Sequence, residues 1–211
     1  MIDLEPHADC PLCPRLDAFR QENRRKYPDF HNAPVPCFGS RDAPLLIVGL
    51  APGLQGANRT GRPFTGDYAG DLLYATLLKF GLAAGAYDRR PDDGLSLVGC
   101  RIANAVRCVP PQNKPTPIEI SICNSFLKAE IAAMPNLRGL LALGAIAHSA
   151  ALTALGERKS RYRFAHNALH RLSNGLILID SYHCSRYNTN TGVLTTEMFE
   201  TAVQTAKSAA G

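Results

Sequence analysis

No apolar run in this sequence approaches the ~20 residues that a membrane-spanning helix needs. Its opening, MIDLEPHADC, lacks the basic-then-apolar order of a secretory signal. A soluble cytoplasmic protein with no membrane partner is therefore expected. Internal repeats, linkers and low-complexity tracts are missing as well, so the 211 residues are read as one domain, 1–211, with a full hydrophobic core. Charged residues make up only 19% against 45% hydrophobic, a globular balance that excludes a disordered chain. An acidic excess is absent. The 23 Lys+Arg against 18 Asp+Glu leave +5, which admits a polyanionic partner without requiring one. Seventeen of the basic residues are arginine, the side chain better matched to phosphate. Seven cysteines are too few for a disulfide-dense scaffold in a chain this long. In a reducing compartment they read as ligands, catalysts or core residues.

Four short apolar runs read as buried strands: 45–48, 102–106, 139–143 and 176–179. Helical patterns separate them. Over 68–80, Leu72, Leu73, Thr76, Leu77 and Phe80 fall on one face. Thr116-Pro117-Ile118-Glu119 is a capping box with proline at the first helical position, predicting a helix to about residue 133. A third helix spans 145–155 and ends at Gly156, a candidate C′ glycine, and a fourth spans 196–209. Strands alternating with helices predict an α/β three-layer sandwich, with a central four-stranded parallel sheet flanked by helices. Residues 1–40 show no strand pattern and are expected to pack on the core as an appendage. Ligands of such sheets bind beyond the carboxyl ends of the strands, which points to the loops at 49–67, 107–115, 144–148 and 180–192.

The loop GLAPGLQGANRTGRPFTGD, residues 49–67, holds five glycines and two prolines in nineteen residues. Gly56 to Gly61 have the spacing of a phosphate loop. Arg62-Pro63 stand where that motif needs Lys and Ser/Thr, so a nucleotide site is discounted. Loops beyond about 12–15 residues in compact domains are usually functional or disordered, and Phe64 with the prolines argues against disorder. Gly49 and Gly53 allow backbone N–H groups to approach a ligand at the strand end. Asp67 reads first as the N-cap of the following helix, and second as a functional carboxylate.

Cys10 and Cys13 form a C-x2-C pair, and Cys108 and Cys123 follow with fourteen residues between them. A four-cysteine site is compatible with zinc or with an iron–sulfur cluster, and a redox pair plus core cysteines is the plainer alternative. Cys37, Cys100 and Cys184 are left over as core or loop residues. The last strand runs into DSYHCSRYNTNTG, where His183 lies just past the strand end. Ser185, Arg186, Asn188 and Asn190 suit either phosphate contacts or tight turns, and Tyr187 is either a wedge or simply exposed. Asn104, near the end of the second strand, offers both a donor and an acceptor.

Taken together these pieces resemble the uracil-DNA glycosylase superfamily, and within it the family 5 (type b) iron–sulfur enzymes. The resemblance rests on GLAPGLQGANRTGRPFTGD, on ANAVRC with a Pro pair following, and on DSYHCSRYNTNTGVLT, in that order between Cys10 and about Met198. It implies a DNA repair enzyme that flips a deaminated base out of DNA and hydrolyses its N-glycosidic bond. Relatives outside family 5 mostly carry Asp, Asn or Glu where this chain has Ala51. The resemblance gives the catalytic carboxylate role to Asp67 instead, stacking to Phe64, the base edge to Asn104, and the histidine of the last motif to His183. It makes Cys10, Cys13, Cys108 and Cys123 the ligands of a 4Fe–4S cluster that ties residues 1–40 to the core. The usual His-Pro-Ser reads His183-Cys184-Ser185 here.

By the same resemblance, the apolar Ala51 implies tolerance for hypoxanthine and xanthine beside uracil. Backbone N–H groups around Leu50 and Ala51, with the His183 ring, are expected to receive the departing base as an oxyanion-hole analogue. Ser185, Arg186 and Asn188 are expected to contact the substrate. No lysine stands in these motifs to form a Schiff base, so a monomeric, monofunctional glycosylase without lyase activity is expected. Arg24, Arg25 and Lys26, or 158–163, read either as phosphate contacts or as solvated faces. Three rivals stand beside this reading. One is a covalent product-bonding relative, whose Lys-Arg-Arg-Ile-His run is absent although His166 and His170 lie in the comparable region. The others are a non-catalytic metal-stabilised DNA-binding module and a nucleotide hydrolase.

Overall fold

The computed structural model describes residues 4–211. Helix α1 (Pro14–Lys26) precedes strand β1 (Leu45–Gly49), and the single turn α2 (Ala57–Thr60) interrupts the long loop before α3 (Tyr68–Lys79). Two short strands, β2 (Ala83–Ala84) and β3 (Ser96–Leu97), pair as an antiparallel ribbon. The rest of the chain forms β4 (Cys100–Asn104), α4 (Pro117–Ala132), β5 (Gly139–Leu143), α5 (Ala145–Ala154), β6 (Leu169–Arg171), β7 (Ile177–Ser181), α6 (Arg186–Asn190) and α7 (Thr196–Ala210). Among the described residues no helix is long and apolar enough to cross a membrane.

The main sheet has the order β4-β1-β5-β7-β6. Its first four strands run parallel, and β6 lies antiparallel against β7 at the edge. Successive side chains of a strand face opposite sides, and β1 uses both. Leu45 and Ile47 pack with Leu73 and Leu77 of α3 and with Phe199 and Val203 of α7. Leu46 and Val48 pack on the other face with Leu127 of α4 and Ala147, Ala150 and Ala151 of α5. Apolar residues at consecutive positions are thus required because helices cover both faces. The expected three-layer sandwich is present, with a fifth strand that the expectation of four did not include.

The capping box forms as expected. Thr116 Oγ1 accepts from Glu119 N–H at 3.4 Å, and Glu119 Oε2 accepts from Thr116 N–H at 2.7 Å. Gly156 follows α5 with φ +72°. Strand β4, however, sits two residues earlier than the apolar run 102–106 predicts. Ala105 and Val106 still donate to Gly49 and Leu50 carbonyls at 2.9 Å each, but as the chain leaves the sheet. Helix α1 was not expected at all. Its sequence is largely polar, and it is held by specific pairs: Arg15 Nε and Nη2 both reach the Glu119 carboxylate at 2.7 Å.

Strand β7 ends in two polar residues that the apolar run left out, Asp180 and Ser181, both wholly buried. Burial of a carboxylate demands partners. Asp180 takes His148 Nδ1 of α5 at 2.7 Å and His170 Nε2 of β6 at 2.8 Å. The edge strand is therefore fastened to the sheet by a His–Asp–His bridge as well as by its ladder. Replacing Asp180 with alanine strands both imidazoles, and breaking a buried pair in this way costs about 3–5 kcal/mol. The expected result for Asp180→Ala is a urea midpoint lowered to match, whereas a midpoint within experimental error of the parent contradicts the role given to the bridge.

Candidate active site

A cleft of about 590 Å³ opens at the carboxyl ends of β1 and β7. The loop after β1 lines it with Leu50, Ala51, Gly53 and Asp67 among others, the start of α3 adds Tyr68 and Ala69, and later loops add Asn113, His183, Ser185 and Arg186. Three of the four loops that the strand-end rule singled out meet here. The fourth, 144–148, touches from behind, where a Cβ at Gly144 would lie 3.5 Å from that of His183.

The long loop is built around Arg62, which stands where a phosphate loop would carry lysine. It is a buried anchor. Its Nη1 and Nη2 each donate to the Asp93 carboxylate at 2.8 Å, and Nε donates to Thr65 Oγ1 at 2.7 Å. Phe38, Tyr74 and Tyr87 surround the guanidinium at 5.3, 5.5 and 5.9 Å from their ring centroids. The Arg62 guanidinium holds the Asp93 carboxyl far below the usual carboxylate range. This anchoring lets Phe64 persist in the left-handed region at φ +53°, costly for a bulky side chain.

Phe64 and Asn104 meet at the carboxyl end of β1, next to His183 of the cleft. A Cβ at Gly49 would fall 2.4 Å from Asn104 Oδ1 and 2.6 Å from Phe64 Cζ, so only glycine lets the amide and the ring meet at the strand end. Asn104 Oδ1 is buried and has no hydrogen-bond partner among the described residues. The Phe64 ring faces that of His183, with centroids 6.1 Å apart and planes at 29°.

Asp67 performs the first of the two tasks that its position suggested, the helix cap, and also lines the cleft. Its Oδ1 caps α3 by accepting from Gly70 N–H at 3.1 Å. Its Oδ2 turns toward Gly56, where a Cβ would come within 2.3 Å. Burial pushes the Asp67 carboxyl above its ordinary value, opposed by the Gly70 N–H and reinforced by the charge of Asp71. Burial acts on His183 in the opposite sense and pushes its imidazole down to about 4, so the ring is neutral at pH 7.

The loop after β7 divides its labour. Ser185 caps α6 by accepting from Asn188 N–H at 3.3 Å, and Asn188 Nδ2 donates to the His183 carbonyl at 2.8 Å. Asn188 is thus a brace for His183 and is not among the cleft's lining residues, while Ser185 and Arg186 are. Arg186 stacks over Tyr68 at 5.4 Å. Cys184, where the resembled family has proline, is wholly buried and its thiol donates to the Ala69 carbonyl at 3.5 Å, tying the loop to α3. Tyr187 stands out from α6, 74% exposed. Sequence reasoning missed Asn113, which reaches the cleft from a turn where Gln112 and Asn113 adopt φ of +56° and +57°. The signal was an asparagine after a proline pair, a residue tolerant of that region.

His166 and His170 are occupied elsewhere. His166 Nδ1 accepts from Tyr182 N–H at 3.2 Å, and His170 belongs to the Asp180 bridge. Of the two basic runs, Arg24 is engaged with Asp9 and the Asn32 carbonyl. Arg158, Lys159, Arg161 and Arg163 are exposed.

Cys10, Cys13, Cys108 and Cys123 converge on one hollow beside β4, α1 and α4, walled by Leu16, Ile122 and Phe126. None is in a disulfide. Burial pushes the Cys13 thiol up to about 11 and the Cys108 thiol up to about 12, and raises Cys123. A metal bound there must displace protons from its ligands. Among the described residues the sets of potential ligand atoms lying within 4.8 Å of one another are His148/His170/Asp180 and Glu5/Cys37/Glu130. The four thiols are spread more widely than either set.

Because the folded state binds a proton on Asp67 more tightly than the unfolded chain does, this group favours folding below its unfolded value. That advantage is lost as pH rises through the raised folded value. Asparagine keeps the cap and removes the half-buried charge. Asp67→Asn is expected to raise Tm at pH 7. The gap should narrow as pH falls toward the ordinary aspartate range. A variant less stable than the parent at pH 7 contradicts the burial argument.

Residues 36–207 match the family model described as Uracil DNA glycosylase superfamily. A type-5 uracil-DNA glycosylase of Thermus thermophilus is 46% identical over 207 residues, covering 96% of this chain and 94% of the relative. A type-5 enzyme of Mycobacterium tuberculosis is 41% identical over 210 residues, covering 96% and 78%. A type-4 uracil-DNA glycosylase of Thermotoga maritima matches about half of each chain, at 39% identity over 112 residues. With the strand-end cleft, the ordered motifs and similarity along nearly its whole length, the chain belongs to the uracil-DNA glycosylase superfamily.

Proposed function

We propose that the protein is a DNA repair glycosylase that hydrolyses the N-glycosidic bond of uracil in DNA and leaves an abasic site. The observation that carries this reading is the pairing of a half-buried, ionisable carboxylate at Asp67 with a neutral imidazole at His183 in one cleft. The target base must leave the duplex, and unstacking costs a few kcal/mol. Stacking on an aromatic face returns about 1–3 kcal/mol per base, the task given to Phe64. The unpaired Asn104 Oδ1 suits the ring N–H of a uracil-like edge. Tyr187, exposed beside the cleft, is suited to fill the gap left in the stack, and Arg186 to hold a neighbouring phosphate.

Bond cleavage develops positive charge on the sugar and negative charge on the base. Asp67 orients water and stabilises the sugar cation. Backbone N–H groups near Leu50 and Ala51, with the neutral His183 ring, receive the base oxygen. A neutral imidazole can still donate one N–H and needs no proton from solvent to do so. Asn113 faces the same space and adds a further amide. The apolar Ala51 leaves room for hypoxanthine and xanthine. No lysine lines the cleft among the described residues, which favours a monofunctional enzyme without lyase chemistry.

Four thiols converging on one hollow are the ligand set of a 4Fe–4S cluster. Such a cluster on Cys10, Cys13, Cys108 and Cys123 would supply covalent ties between residues 1–40, the loop after β4 and helix α4. Its role in this reading is structural. A monomer working on DNA accounts for the features described.

Duplexes labelled on one strand and carrying uracil or hypoxanthine, incubated with excess protein, test the proposal. Strand scission should appear only after alkali. Asp67→Ala should slow release by about 100-fold or more, the usual contribution of a positioned base. An unslowed variant returns Asp67 to helix capping alone, and no release from either duplex overturns the glycosylase reading.

A further inference from the structure

The hollow that gathers the four cysteines is also lined by two guanidinium groups, Arg20 and Arg107. Both are almost wholly buried, at 2% and 1% exposure. Both residues already touch a sulfur, Arg20 through its side chain and Arg107 through its backbone. Arg20 Nη1 donates to Cys108 Sγ at 3.6 Å, and the backbone N–H of Arg107 donates to Cys123 Sγ at 3.3 Å. Part of each guanidinium is accounted for. Arg20 Nη2 donates to the Cys10 carbonyl at 3.0 Å and to Asp17, and Arg107 Nη1 donates to Glu5 Oε2 at 3.0 Å.

The remainder is not. Arg20 Nε, Arg107 Nε and Arg107 Nη2 are buried without a hydrogen-bond partner among the described residues. Leaving a buried donor unpaired costs about 1–3 kcal/mol, and more when it is charged. Arg107 has the Cys37 thiol beside it as a further, weak acceptor, and three such donors on two residues of one hollow still point to missing stronger acceptors. Protonated thiols are weak acceptors. Thiolates and inorganic sulfides are anionic, and a hydrogen bond with a charged partner is roughly twice as strong as a neutral one. The carboxylates Asp17 and Glu5 do not cancel the positive charge locally. Their side chains are 36% and 30% exposed and screened by water, while the guanidiniums are buried.

We propose that Arg20 and Arg107 are the charge-compensating ligand shell of the metal centre. Their unpaired N–H groups donate to the cysteine and sulfide sulfurs of an iron–sulfur cluster, and so set its retention and its reduction potential. The inference rests on the cluster reading above and extends it to two residues that carry no iron themselves. Hydrogen bonds to the sulfurs and nearby positive charge stabilise the more negative, reduced state, so losing them lowers the potential. Outer-shell partners of metal ligands typically contribute 10–100-fold to metal affinity.

The test uses the full chain reconstituted anaerobically with iron and sulfide. Iron and acid-labile sulfide content, the rate of iron loss to a chelator, and the midpoint potential from visible absorbance are measured. The variants are Arg20→Met, Arg20→Lys and Arg107→Met, the last combined with Glu5→Gln so that no carboxylate is left unpaired. The methionine variants should lose iron about tenfold faster than the parent and show a lower midpoint potential. Arg20→Lys, which keeps the charge but not the Nε donor, should fall between. Should a methionine variant fail to fold, Arg20→Lys decides the matter by that intermediate behaviour. Folded variants with the parent's retention and potential overturn the proposal. A parent chain that takes up zinc and no cluster overturns the cluster reading itself, before any variant is compared.

Discussion

The buried pair between Arg62 and Asp93 is the constraint on which the rest of the site depends. A nineteen-residue loop of glycine, proline and polar residues has too little apolar surface to pack itself, so its shape must come from specific partners. Arg62 supplies them: both ends of its fork engage Asp93, Nε engages Thr65, and three aromatic rings enclose the cation. Removing one member of such a pair leaves an uncompensated charge and costs about 3–5 kcal/mol. With that point fixed, Phe64 is held left-handed over the end of β1, and Asp67 is delivered to the start of α3. Asp93 belongs to the segment between the short strands β2 and β3, which explains why an otherwise peripheral ribbon lies against the site.

Burial then acts on two opposite acid–base types within one cleft. It raises the carboxyl of Asp67 and lowers the imidazole of His183, so each is driven toward its neutral form. His183 is left uncharged at pH 7, and Asp67, whose charged form burial disfavours, lines the same cleft. Glycine at position 56 is part of the same arrangement, because its missing Cβ is the space that Asp67 Oδ2 occupies.

The fold was legible where burial is two-sided. Strands β1 and β5 and the capped helix α4 announce themselves because each position in them is constrained by packing or capping. Strand β6 and helix α1 were not legible, since three half-exposed residues and a polar helix held by Arg15–Glu119 carry no periodic signal. The polar end of β7 was hidden for a related reason: Asp180 is tolerated in the core only through His148 and His170, which lie far from it in sequence or on a neighbouring strand. Within the site, Asp67 and His183 were found by motif, and the geometry adds their environment. Asn188 Nδ2 braces the His183 carbonyl, and Asn113 enters only through a left-handed turn. Arg62 was dismissed as the wrong residue for a phosphate loop. Its role could not be read without Asp93, thirty-one positions away.

In the proposed reaction the half-buried Asp67 carboxylate must be ionised for bond cleavage while His183 works uncharged. The pH dependence of single-turnover uracil release at saturating enzyme tests it most directly. The rate should fall on the acid side with an inflection above the ordinary aspartate range, and pass through the region near pH 6.5 without a step, since His183 titrates at about 4. A profile governed by an inflection near 6.5, or one that stays level through the acid range, contradicts the account.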